Sequence, residues 1–525
     1  MKRLLFLTHR WLGIALCLFM AMWFFSGVVM MYVGYPKLTA AERLERLPAI
    51  EPAACCIGLG EAIRAAGAGA GEQPQEVRLT SVAAMPRYVL TFDRQRVVAV
   101  DARSGRRIDD ISVAGALAAA AGFAKEGKLI YLDRVEEDAW THSKALDAHR
   151  PLHRIQVHDG NETLLYVSSR TGEVVRDASA TERLWNWVGA WIHWLYPLRG
   201  GMLDRQWQAI VVYGSLAATV LAITGLAVGT MRWKIAGHYP NQSKSPYRGS
   251  LMRWHHFLGL GFGLASATWI FSGLLSMNPW KVFDSGGAPL DTRAFSGGAI
   301  EAKNFPVDLR GLMERERERL SPEGGSPREF EWRMFDGKGY LIAFDGGNRT
   351  RILPASNPER PLALFPLGQL EAAGARLLPG ARVARREVLG EYDFYYYPRA
   401  PHTMSGHAEK RLPVLRLEFD DANSTWVHLD PYTGTIVGKL DRHQRVKRWL
   451  FALLHSWDWG PLLERRPLWD ALLILLSLGG FLIGCTGAAI GWRRMGRNQR
   501  RDRWTKPAPA GAAQTAQTAQ TSSSK

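Results

Sequence analysis

Cysteine is scarce in this chain: four among 525 residues, with no CxxC pair. That spacing excludes a zinc ribbon or a cysteine-ligated iron–sulfur centre. Cys17 and Cys485 fall in apolar stretches, and the adjacent Cys55 and Cys56 form either a strained disulfide or two free thiols. A glycine-rich dinucleotide fingerprint between a strand and a helix is also missing, so the chain should not oxidise a nicotinamide itself. Charge is nearly absent from four long runs, residues 12–33, 207–231, 257–277 and 468–490. Each has about the 20 residues needed to cross a hydrocarbon core ~30 Å thick, which argues against a purely soluble enzyme. The overall hydrophobic share of 47% is ordinary and argues against a densely polytopic transporter.

Acidic residues are lacking where basic ones collect. Between the second and third runs stand Arg232, Lys234, Lys244, Arg248 and Arg253, with no Asp or Glu. Lys2, Arg3 and Arg10 lie at the start of the chain, and Arg493, Arg494, Arg497, Arg500, Arg501 and Arg503 follow the fourth run. These sites share one side of a membrane, which the positive-inside rule makes cytoplasmic. The net charge of +17 is thus a topology signal beside membrane lipid, and no nucleic-acid partner is expected. Lys2 and Arg3 could open a signal peptide, but the apolar stretch after them is longer than such signals use, so a retained anchor is favoured.

With both termini cytoplasmic, residues 34–201 and 278–467 face the other side. Each reads as a mixed α/β module. Tyr88–Phe92 and Val97–Val100 are strands leading to the turn at Gly105; the grammar returns at Thr163–Ser168, Tyr340–Phe344 and Thr425–Val437, where Gly434 closes a turn. Residues 113–124 and 370–378 read as helices packed on these sheets. From about Thr505 the Ala/Gln/Thr/Ser tail has no core-forming residues.

The chain repeats itself. Thr8-His9-Arg-Trp-Leu-Gly13 recurs as Trp254-His255-His-Phe-Leu-Gly259, each histidine followed fourteen residues on by Trp23 or Trp269, then by Ser26-Gly27 or Ser272-Gly273. Around His193 and His455, Gly172 and Gly434 lie 21 residues before, Arg183 and Arg445 ten before, and Trp187 and Trp449 six before. Trp207 and Trp469 lie fourteen after, and Thr224 and Thr486 open a Thr-Gly pair 31 after. Two tandem copies of span–lobe–helix–span follow, arranged as a parallel repeat about an axis along the membrane normal.

The repeat places four histidines at symmetric positions. His9 and His255 fall at the cytoplasmic ends of the odd spans, His193 and His455 just outside the even ones. Ionisable groups at membrane depth are functional candidates. Gly13 and Gly259, one turn after their histidines, and Ala190 and Ala452, three residues before theirs, leave room for a flat macrocycle. Imidazoles facing across a helical bundle suit axial haem ligation. His9 with His255 and His193 with His455 would hold two haems, of b type, one near each membrane surface. His256 could replace its neighbour His255 as ligand, but a propionate or interface contact is preferred because Arg10 stands at its equivalent; Arg10, Arg253, Arg183 and Arg445 are candidate propionate contacts or, equally, headgroup anchors. His142, His149, His153, His158, His402 and His407 carry no metal-ligand spacing and read as solvated surface residues. Tyr395, Tyr396 and Tyr397 form either a buried strand or an aromatic wall for a bulky ligand.

Taken together, His9-Arg-Trp-x-Gly, Tyr392-Asp-x-Tyr-Tyr, Leu412-Pro-Val-Leu-Arg, Asp430-Pro-x-Thr-Gly, Arg448-Trp-Leu with Leu454-His-Ser, and Leu468-Trp-Asp resemble the PepSY-associated transmembrane family over about residues 1–495. The resemblance implies a bacterial inner-membrane protein: a four-span α-helical bundle in two parallel tandem repeats, with two periplasmic α+β PepSY-like lobes. Members tied to iron uptake are ferric-siderophore reductases of the ferrioxamine reductase type, with haem in the bundle. The first half departs from the pattern, having Glu136–His142 where the second has the tyrosine cluster.

The expected organisation is a span within 1–33, a lobe over 34–203 with the His193 helix, a span at 204–231 and a cytoplasmic loop at 232–253. A span at 254–280, a lobe over 281–466 with the His455 helix, a span at 467–492 and a disordered basic tail at 493–525 complete it. The expected activity is haem-mediated electron transfer across the membrane to a periplasmic ferric siderophore, releasing Fe(II), with electrons from a quinol or a cytoplasmic flavoprotein. The other readings are a non-catalytic envelope protein that binds peptides or regulates a protease, and a transporter, the latter weakened by the scarcity of charge inside the spans.

Overall fold

The computed structural model describes residues 1–505 except 68, 70–71, 93–95, 200, 321–325, 404–405 and 407. Among the described residues, four helices are long and apolar enough to cross a membrane: Lys2–Met30, Trp207–Arg232, Ser250–Ser276 and Leu468–Thr505. Three run further than the apolar runs alone suggest, the third starting at Ser250, seven residues before its run. The first starts ten residues before its run, at Lys2, so His9 sits well inside a helix. The fourth continues through the basic segment to Thr505, so residues 493–505 are helical, not disordered. Arginines are good helix formers, and an established helix propagates through them without a new nucleation step. The rest of the expected disordered tail, 506–525, lies outside the described residues.

The four helices pack in a ring, first against second, second against third, third against fourth and fourth against first. Their shared interior holds Cys17, Met20, Phe24, Ala218, Leu221, Trp269, Ile270, Trp469 and Leu473. The first and fourth meet backbone to backbone at Gly484, where a Cβ would stand 2.8 Å from the Ala21 nitrogen and 2.9 Å from the Cys17 carbonyl. Small residues at such a crossing let two backbones meet where lipid offers no hydrophobic drive.

Fifteen strands follow the expected alternation. The first segment supplies β1 (Glu76–Val82), β2 (Met85–Thr91), β3 (Val97–Asp101) and β4 (Arg107–Ile108), then β5 (Lys128–Val135), β6 (Leu152–His158), β7 (Thr163–Ser168) and β8 (Val174–Ala178). The second supplies β9 (Glu329–Phe335), β10 (Lys338–Phe344) and β11 (Thr350–Pro354), then β12 (Val383–Leu389), β13 (Val414–Phe419), β14 (Trp426–Asp430) and β15 (Thr435–Leu440). The expected turns are present: Gly105, Gly172 and Gly434 adopt φ of 71°, 75° and 67°. Asp101 Oδ1 accepts from the Ser104 nitrogen and Asp430 Oδ1 from the Tyr432 nitrogen, the Asx geometry that closes such turns.

The two segments are not separate lobes. β5–β8 and β12–β15 form one four-stranded antiparallel sheet each, backed by helices Val113–Phe123 and Leu367–Gly374. The remaining strands join in a single seven-stranded sheet, ordered β11-β10-β9-β1-β2-β3-β4. β1 and β9 pair antiparallel, Val77 opposite Trp332 and Leu79 opposite Phe330, all four buried in one core drawn from both segments. Left apart, β1 and β9 would each be an apolar edge with unpaired backbone groups; pairing removes both edges. A buried ion cluster fastens the seam. Arg43 holds Glu329 through two nitrogens at 2.7 and 2.8 Å, and Arg78 Nη1 stands 3.0 Å from both Glu329 and Glu173.

Candidate functional site: two histidine pairs

The histidines predicted from symmetry meet in the bundle. The ring centres of His9 and His255 lie 6.4 Å apart, and those of His193 and His455 lie 6.4 Å apart. His9 and His255 stand near the starts of the first and third helices, while His193 and His455 contact Ser26 and Ser272 near their ends. Seventeen residues separate His9 from Ser26, so at 1.5 Å per helical residue the pairs are about 25 Å apart. The segments delivering His193 and His455 are alike: π-helical turns Trp187–Trp191 and Arg448–Leu453 immediately precede the histidine-bearing turns. Such turns insert one residue and re-aim the side chains that follow, and they concentrate at functional sites.

Hydroxyls fix the imidazoles. Ser26 Oγ stands 3.0 Å from His193 Nδ1, Ser272 Oγ 3.1 Å from His455 Nδ1, and Thr486 Oγ1 2.8 Å from His255 Nδ1. Each hydroxyl already donates its one proton to a carbonyl of its own helix: Met22, Trp269 and Leu482 respectively. It can therefore only accept from the imidazole, which places the proton on Nδ1. His9 Nδ1 faces the Leu221 carbonyl at 3.3 Å, with the same result. All four Nε2 atoms are left as lone-pair donors with no hydrogen-bond partner among the described residues. An outer hydrogen bond that sets tautomer and ring orientation is what a metal-binding imidazole requires.

Glycines make the space. A Cβ on Gly27 would lie 3.8 Å from His193 Cε1, on Gly273 3.5 Å from His455 Cε1, on Gly225 2.8 Å from His9 Cε1, and on Gly487 3.3 Å from His255 Cε1. In Ser26-Gly27, Ser272-Gly273 and Thr486-Gly487 the hydroxyl meets a ring nitrogen and the glycine lies against the same ring, while at Thr224-Gly225 only the glycine faces its histidine; Gly225 and Gly487 are the tight contacts. Tryptophans at the repeated spacings tie the helices, whatever their exposure to lipid. Trp23 Nε1 donates to the His193 carbonyl at 3.0 Å, Trp207 Nε1 to Trp194 at 2.7 Å and Trp469 Nε1 to Ser456 at 3.1 Å.

Other candidates fall elsewhere. His256 is buried with both nitrogens occupied, Nδ1 by Ser245 Oγ and Nε2 by the Gly229 carbonyl, each at 2.8 Å, so it holds the 232–250 connector against the bundle and is not free to reach a ligand. Arg183 and Arg445 donate to strand-end carbonyls, Ala178 at 2.6 Å and Leu440 at 3.1 Å. Arg10 is half-buried with its Nε unpartnered, and Arg253 is half-buried two residues before His255.

The tyrosine cluster is largely structural. Tyr396 is 1% exposed, stacked on His428 with ring centres 5.0 Å apart, and its hydroxyl donates to the Arg411 carbonyl. Tyr397 donates to Asp458 at 2.6 Å. Tyr395 is half-buried against Trp426, and its hydroxyl accepts from Trp449 Nε1 at 3.1 Å. A substrate wall made by all three is therefore excluded: packing on the sheet takes up the aromatic surface. His153, expected at the surface, is buried between the Tyr131 hydroxyl and the Ile111 carbonyl. His407 lies outside the described residues, and no group of three or more metal-ligating side chains occurs among the described residues.

What fold and site define is a membrane protein: a four-helix bundle bearing sheets at one end, with two pairs of preoriented histidines inside. Residues 6–329 match the family described as the PepSY-associated TM region, and the chain belongs to that family. The match ends at the start of β9, short of the resemblance read from the motifs. No curated protein matches the chain.

Proposed function

We propose that this protein is a haem-containing reductase of the bacterial inner membrane, built as two parallel tandem repeats with its sheets in the periplasm, that carries electrons outward to a ferric siderophore. The observation that carries the reading is the pair of 6.4 Å imidazole separations. At this separation His9 with His255, and His193 with His455, would each be able to hold one haem iron between them, at metal–nitrogen distances of about 2 Å. The donor set fits as well. Four imidazoles held through Nδ1 keep Nε2 as a lone-pair donor, and Gly225 and Gly487 stand where a Cβ would crowd His9 and His255.

Four buried polar atoms without partners lie near His193, His455 or Ser272 in the sequence. Asn186 Oδ1 and Trp191 Nε1 precede His193 by seven and two residues, Arg448 Nη1 precedes His455 by seven, and Trp269 Nε1 lies one turn from Ser272. A bound ligand with polar edges would give these atoms partners. Bound haem supplies reversible one-electron transfer at iron, and two of them divide a membrane ~30 Å thick into shorter steps. The chain's own part is to hold each imidazole by Nδ1, to exclude water with the apolar bundle and to offer basic residues at the cytoplasmic end. Reduction of the chelated iron from Fe(III) to Fe(II) takes up one electron, supplied from a membrane quinol or a cytoplasmic flavoprotein, and weakens its hold by hard oxygen ligands, which frees the metal.

The test is the absorption of detergent-purified protein and its response to a ferric chelate. A Soret band that shifts on dithionite, two haems per chain and reoxidation by ferric siderophore are expected. A colourless protein from haem-replete cells removes the reading and leaves a peptide-binding or protease-regulating envelope protein.

A further inference from the structure

We propose that Arg448 and Arg399 form a carboxylate-binding site beside His455, the carboxylate coming from a haem propionate or from an anionic iron chelate; the haem source rests on the function proposed above. Arg448 opens the π-helical turn that delivers His455, and Asp458 follows that histidine by three residues. The segment is clasped end to end: Arg448 Nη2 donates to the Asp458 carbonyl and Nε to the Phe394 carbonyl at 2.9 Å. Arg399 Nη1 meets Asp458 Oδ1 at 3.0 Å, and Tyr397 donates to Oδ2 at 2.6 Å.

Charge does not balance in this hub. Two guanidiniums face one carboxylate, with side-chain exposures of 9% for Arg448, 11% for Arg399 and 5% for Asp458. Arg448 Nη1 is buried and has no hydrogen-bond partner. Its planar group lies over the rings of Phe394 and Tyr397, 4.1 and 4.5 Å from their centres, which fixes the direction of the free nitrogen. An uncompensated buried guanidinium is costly, and a carboxylate is the partner its geometry matches best. The site belongs to one half only. At the position equivalent to Arg448 the first half has Asn186, whose Nδ2 donates to the Gly34 carbonyl.

The test uses full-length protein in detergent as wild type, Arg448→Gln, Arg448→Lys and Arg399→Gln. Apoprotein is titrated with haem and with haem dimethyl ester, followed by Soret absorbance, and with citrate, followed by thermal unfolding. If haem supplies the carboxylate, wild type prefers haem to the ester by roughly tenfold. Arg448→Gln and Arg399→Gln then bind the two alike, and Arg448→Lys retains part of the preference. If a chelate supplies it, any preference for haem over the ester is the same in wild type and both glutamine variants, but citrate raises the Tm of wild type and leaves that of Arg448→Gln unmoved. Arg399→Gln touches none of the backbone carbonyls that Arg448 ties, so it gives the same readout should Arg448→Gln fail to fold. Apoprotein that takes up no haem removes the haem reading, and the citrate response then decides the site alone. The site is overturned if wild type shows neither effect, or if both glutamine variants match wild type in both.

Discussion

Thr486 Oγ1 sits 2.8 Å from Nδ1 of His255 while donating its own proton to Leu482, so a threonine on the fourth helix sets the tautomer of a histidine on the third. Thr486→Val removes that acceptor and nearly preserves volume. Losing an outer hydrogen bond of this kind weakens a metal site by about 10–100-fold. The expected outcome is weaker haem binding at the His9–His255 pair only, measured by titration of apoprotein, with Ser272→Ala producing the matching loss at the other pair.

The pairs are independent along the bundle. His9→Ala and His255→Ala are each expected to lose one haem of two, and His193→Ala and His455→Ala the other, measured as haem per polypeptide. Retention of both haems with unchanged low-spin spectra in all four variants would sink the assignment.

Gly225 presses on His9, since a Cβ there would lie 2.8 Å from the ring, whereas Gly214 on the same helix has nothing within 4 Å. Gly225→Ala is expected to displace the imidazole and empty the first site. Gly214→Ala should leave both intact, because alanine also favours helix by about 1 kcal/mol. Haem spectra of the two variants side by side make the comparison.

Removing one member of the seam cluster strands buried charge. Glu329→Gln leaves Arg43 and Arg78 short of a carboxylate and is expected to cost about 3 kcal/mol. Thermal unfolding followed by near-ultraviolet circular dichroism measures it, and the double variant with Arg43→Ala should lose less than the sum of the single losses.

Acid should loosen the sheets in two stages. Burial, with Arg416 and Lys410 nearby, depresses His428 from 6.5 to about 3. Burial would raise the Glu173 carboxyl, but Arg78 and Arg43 outweigh it and bring it down to about 2. Both groups bind protons more readily unfolded. The His428 contribution is present above pH 6.5 and is lost as pH falls toward 3; that of Glu173 is lost from about 4.5 toward 2. Each steepens the fall by up to about 1.4 kcal/mol per pH unit. His428→Gln, which accepts from Arg416 without titrating, should flatten Tm between pH 6.5 and 4.5.

The sequence alone determined the four spans, the turns at Gly105 and Gly434 and the pairing of His9 with His255 and His193 with His455. Long apolar runs, Asx-glycine turns and an internal repeat each have a local or periodic cause that survives without coordinates. Tertiary structure decided the rest. Strand periodicity marks β1 and β9 but does not say that they pair with each other, since partner choice depends on which edges meet after the bundle forms. The tyrosines of 395–397 look like a ligand wall in one dimension, yet their burial is set by a sheet and by Asp458, 61 residues beyond Tyr397. His255 and His256 are adjacent and chemically identical in sequence; the 100° rotation per helical residue sends one to Thr486 and His9, the other to Ser245 and Gly229.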